Sequence, residues 1–63
     1  MSKELRSIVN AKKKVFREFY VEWNDDIEKK FLEEVSKHPN DDPEVIMDIV
    51  SHDALIRGIN SFR

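Results

Sequence analysis

The chain has 63 residues, a net charge of −2, one glycine, two prolines and no cysteine. A domain of this size hides only about 60% of the surface its unfolded form exposes, so its stability is marginal unless self-association or a partner supplements the core. The missing cysteine excludes disulfides, thiolate metal sites and thiol catalysis. The absence of any long apolar run argues against a membrane span or a signal-peptide start, and the expectation is one cytoplasmic domain over residues 1–63.

The charge is unevenly placed. Residues 1–23 carry a net +3, residues 24–53 a net −7, and Arg57 and Arg63 restore two positive charges. A basic beginning joined to an acidic middle can hold itself together electrostatically and can also meet a partner of either sign.

Between Lys3 and Trp23, the side chains of Leu5, Ile8, Val9, Val15, Phe16, Phe19, Tyr20 and Trp23 fall within an arc of roughly 140° at ~100° per residue. This predicts a first amphipathic helix reaching Trp23. Lys12 sits inside the apolar arc and Val21 points away from it, while Lys3, Arg6, Lys13, Lys14 and Arg17 gather on the opposite flank.

Asn24-Asp25-Asp26 then predicts a turn, with Asp25 and Glu28 at capping-box spacing for a second helix that runs to about His38 and turns Ile27, Phe31, Leu32 and Val35 inward. The pairs Asp25–Lys29, Asp26–Lys30 and Glu33–Lys37 are acid-before-base at i,i+4, each worth ~0.2–0.5 kcal/mol.

His38-Pro39-Asn40-Asp41-Asp42-Pro43 closes that helix and opens the next. Pro39 pushes His38 out of the α region, Asp42 is an N-cap, and Pro43 takes the first helical position, where its missing N–H costs nothing. Val45, Ile46, Ile49 and Val50 are expected on the buried side of this third helix. The following set, Leu55, Ile56, Ile59 and Phe62, is rotated from the first by about 110°, which one straight helix accommodates only by being apolar on most sides. A break at Ser51-His52-Asp53 and a short fourth helix is the more economical expectation, with Gly58 weakening that last helix by roughly 1 kcal/mol. The expected fold is therefore all-α: a small bundle of three helices plus a short C-terminal fourth, with helices one and two as an antiparallel hairpin.

Catalytic equipment is absent from the sequence. Asp48 and His52 stand at i,i+4 without a third ligand, the serines lack a histidine at motif spacing, and one glycine cannot build a phosphate cradle. The expectation is a non-enzyme with no metal and no cofactor.

The aromatic area of Phe16, Phe19, Tyr20, Trp23 and Phe31 exceeds what so small a core easily encloses, which nominates Tyr20 and Trp23 as anchors for a protein partner. Glu33, Glu34, Asp41 and Asp48 would steer the encounter. Lys12 in the apolar arc, with Phe16 beside it, points to a homodimer interface on the first helix. The reading is a small, acidic regulatory or inhibitory protein that works by protein–protein binding, of the kind found among phage and mobile-element products. The alternative is a DNA- or RNA-binding regulator that uses Arg6, Lys13, Lys14 and Arg17 on the basic helix, and no membrane partner is expected.

Overall fold

A computed structural model describes residues 2–61; the expected contribution of Phe62 to a C-terminal helix, like Arg63, lies outside the described residues. Three helices, and no strand, occur among them: α1 (Lys3–Glu18), α2 (Asp25–Lys37) and α3 (Pro43–Asn60).

Each start is set by a side-chain cap. Ser2 Oγ accepts from the Leu5 N–H at 3.2 Å, Asn24 Oδ1 from the Asp26 N–H at 2.9 Å, and Asp42 Oδ1 from the Glu44 N–H at 3.0 Å. The second cap is thus Asn24 and not Asp25, one residue earlier than the capping-box spacing indicates. Asp25, Asp26 and Glu28 occupy the first turn instead, where their charge favours the positive end of the helix dipole. The third cap and Pro43 at the first helical position agree with the sequence reading.

α1 stops five residues before the expected Trp23. Tyr20 adopts φ 58°, the Tyr20 N–H donates to Arg17 O at 3.1 Å, and the Val21 N–H donates to Phe16 O at 2.8 Å. This pair of bonds, with a left-handed residue between them and the helix, is a Schellman stop, in which the position held by Tyr20 normally belongs to glycine or asparagine. The turn redirects Val21 and Trp23 back onto the core. Trp23 meets the Phe16 ring edge-on at 5.0 Å, and Val21 lies against Gly58 of α3. A Cβ at Gly58 would overlap Val21 Cγ1, so the glycine weakens the helix and permits the close approach of the chain that follows α1.

The anticipated break at residues 51–53 does not occur; α3 is continuous from Pro43 to Asn60. Ser51, the first residue of the expected break, is buried and donates its hydroxyl to the Met47 carbonyl at 2.7 Å. That bond satisfies the serine inside the helix, so nothing calls for a new N-terminus there.

Val9 and Phe16 of α1, Ile27 and Phe31 of α2, and Ile46 and Met47 of α3 form the core, with Phe31 and Met47 fully enclosed. α1 and α2 each pack chiefly against α3, and direct contact between them is weaker. The hairpin expected from sequence is therefore not the main packing unit; α3 is the shared support.

Candidate functional site

A helix gripped from two sides is expected to turn a polar face to solvent. α3 does not. Its inward face carries Ile46, Met47, Val50, Ala54 and Leu55 with Ser51 and Gly58 among them, and at Gly58 the missing side chain lets Val21 come close. Its outward face carries Val45, Ile49 and Ile56, respectively 53%, 70% and 42% exposed, with the exposed His52 among them. Spacings of four, three and four residues set these side chains in one stripe down the helix, opposite the core. The sequence reading placed Val45, Ile46, Ile49 and Val50 inside together. The structure buries Ile46, packs Val50 against the core and leaves Val45 and Ile49 exposed.

Carboxylates border the stripe on both sides. Asp48 and Asp53 flank the shallow depression formed by Val45, Ile49 and His52. On the side facing α1, Glu44 and Asp48 line a dip with Ile8, Lys12 and Met47. On the side facing α2 a groove is lined by Ile46, Ile49 and Val50 at its base, and by Glu34, Asp41 and Asp53 with Lys30 and His38 around it. His38 is bracketed there, its Nε2 3.6 Å from Glu34 and its Nδ1 3.7 Å from Asp41.

The residues nominated from sequence are dispersed among these features. Glu34 and Asp41 meet at the α2–α3 groove and Asp48 borders the stripe, but Glu33 lies elsewhere, its carboxylate 2.9 Å from Lys37 Nζ. That hydrogen bond, reinforced by the charge of the lysine, holds Glu33 below the usual carboxylate range and Lys37 above the usual amine range. Of the three predicted i,i+4 pairs, the 33–37 pair forms.

Lys12 also has an internal explanation. Its Nζ lies 2.7 Å from Asp48 Oδ1 on α3, so the charge in the apolar arc of α1 is met within the chain. Phe16 is buried in the core and offers no surface to a second copy. The placement of both residues is thus accounted for within a single chain.

At the far end of α1, Tyr20 is 83% exposed, whereas Trp23 is partly buried on Phe16. The Trp23 Nε1–H is buried and finds no acceptor among the described residues. Lys13 Nζ stands 5.7 Å from the centre of its ring, a cation–π distance. Lys13 and Arg17 share an open dip with Tyr20 and Trp23, and Arg6 and Lys14 are exposed along the same helix.

No group of three or more potential metal-ligating side chains occurs among the described residues, and no helix among them is long and apolar enough to cross a membrane. The stripe of Val45, Ile49 and Ile56 was the feature sequence reasoning missed. Its signal was present in the 110° rotation between the two apolar sets of the third helix. Comparison of the chain with models of known protein families, with characterised proteins and with solved structures finds no match.

Proposed function

We propose that this protein is a small non-enzymatic regulator or inhibitor that acts in the cytoplasm by binding another protein through the outward face of α3. One observation carries the reading: α3 is apolar on two opposite sides, and only one of them is used by the fold. A helix apolar on two sides belongs between two layers, and among the described residues only one layer is present.

Magnitudes decide what else such binding requires. Fully burying an aliphatic side chain yields about 1.5–3 kcal/mol, and Val45, Ile49 and Ile56 are roughly half to two-thirds exposed, so covering all three returns ~3–5 kcal/mol. That does not overcome the cost of association by a wide margin. Durable binding needs the groove beside the stripe and the carboxylates around it, which adds Glu34, Asp41 and Asp48 to the surface. Tyr20, at the opposite end of α1, is a second exposed anchor.

A second reading, nucleic-acid binding by α1, draws on the company of Lys13 and Arg17 with the exposed Tyr20 ring. Glu22 and Asp25 border the same end of the molecule and oppose a phosphate chain there.

The two readings separate in a retention experiment with extract of the native host. Val45→Ser/Ile49→Gln should abolish retention of a discrete protein that survives nuclease treatment, while Lys13→Glu/Lys14→Glu should leave it. The opposite ranking, with loss after nuclease, would transfer the function to the basic helix.

A further inference from the structure

We infer that the occupant of the α3 face is a basic amphipathic helix of a partner protein, laid along the stripe with its cations against the carboxylates on both flanks. This rests on the reading of α3 as the binding surface and adds the chemistry of what it binds.

The shape of the stripe comes first. From Val45 to Ile56 it runs roughly 16 Å, at ~1.5 Å of rise per residue, which is three helical turns. Side chains at spacings of four, three and four present knobs and gaps that another helix matches with apolar residues at the same spacings. An extended strand has no edge to pair with here, because the described residues contain no sheet.

Charge then selects among helices. Glu44, Asp48 and Asp53 project from α3 beside the stripe, and Glu34 and Asp41 stand across the groove from it. The cations nearby are fewer. Lys12 is held by Asp48, Lys30 lies in the groove with three carboxylates, and the exposed Arg57 stands one turn along α3 from Asp53. A helix with acidic flanks would bring like charges together along both sides, whereas lysine or arginine at its flanking positions would find an acid on each. A second copy fits poorly, because acids lie on both flanks of the stripe and two α3 faces in contact would oppose them to one another in either orientation.

The test uses the full chain and three labelled synthetic helices of about 18 residues with identical apolar positions. Their flanking positions are lysine, glutamate or glutamine, and binding is followed by fluorescence anisotropy. The lysine peptide should bind at least about tenfold more tightly than the glutamine peptide at about 50 mM salt, and the glutamate peptide should be weakest. Ile49→Gln should weaken the lysine peptide by about tenfold with an unchanged circular-dichroism melt.

Equal binding of all three peptides, lost in Ile49→Gln, would overturn the charge assignment while leaving the α3 surface standing. Binding of the lysine peptide that ignores Ile49→Gln, or no binding of any peptide, would overturn the surface as well. Sedimentation of the free chain as a dimer that Ile49→Gln dissociates would give the face to a second copy and also overturn the inference.

Discussion

The two faces of α3 are both aliphatic, and the fold covers one of them. The inward face is built from Ile46, Met47, Val50, Ala54 and Leu55 with Ser51 and Gly58, and the outward face from Val45, Ile49, His52 and Ile56. A surface helix ordinarily buries its large aliphatics and exposes its small and polar residues. Here the packed side follows that rule, with Gly58 admitting the Val21 turn to the backbone. The exposed side is also aliphatic although nothing among the described residues covers it. Residues on the first face should therefore govern stability, and residues on the second should govern association.

The largest test of that division falls on what packs against the inner face. Phe31 is fully buried, and Phe31→Ala should cost ~3–5 kcal/mol or prevent folding of so small a domain. Urea denaturation checks this, and a loss under ~1 kcal/mol would show the inner face to be loosely packed.

Gly58 sharpens the comparison. On an isolated helix Gly58→Ala would gain ~1 kcal/mol, but its Cβ would overlap the stiff Val21 side chain, which the Schellman turn holds in place. The net effect should be a loss of ~1–2 kcal/mol. Val21→Ala in the same chain should recover most of it, and the coupling is read from a double-mutant cycle. Additive effects would mean that the turn moves aside freely.

Tyr20 tests the turn from the other direction. A non-glycine residue at φ 58° is strained, so Tyr20→Gly should raise stability by ~1 kcal/mol in the same denaturation assay. An unchanged or lowered midpoint would mean that the tyrosine side chain contributes to the fold despite its exposure. Asp42→Ala, which removes the α3 cap, should cost ~1 kcal/mol, and Asp41→Ala much less, since the hydrogen bond to the Glu44 N–H comes from Asp42.

The smallest effect is a pH dependence from the Glu33–Lys37 pair on exposed α2. Glu33 is held below its unfolded value, so its contribution is complete above the usual carboxylate range and is lost as pH falls through the lower folded value. Both side chains are exposed, and Glu33→Gln should flatten the acid limb of the stability profile only slightly. A large change would indicate a buried environment that the exposed pair does not have.

Local chemistry was legible in the sequence wherever a rule acts over a few residues. The all-helical class, the Asp42-Pro43 start and the inward set of α2 follow from capping and periodicity. The end of α1 was not legible, because Tyr20 is not a residue type that announces a left-handed turn and the turn is held by packing of Val21 on Gly58, far away in sequence. The continuity of α3 was hidden by the same kind of cause. Ser51 reads as a cap in isolation, and only burial against the other helices turns its hydroxyl to the Met47 carbonyl. The candidate surface escaped because periodicity reports that α3 is apolar on two sides without saying which of them the rest of the chain will cover.

The division of labour on α3 is tested most directly by a photo-crosslinking residue placed in turn at positions 49, 20 and 36 of the chain expressed in its native host. Position 36, on the exposed side of α2 and away from every feature assigned to binding, is the background. Crosslinking from position 49 to one discrete protein, well above the yield from position 36, is the predicted result. Yields at position 49 no higher than at position 36, or a discrete adduct from position 20 alone, would contradict the assignment of the outward face of α3 as the surface through which this protein works.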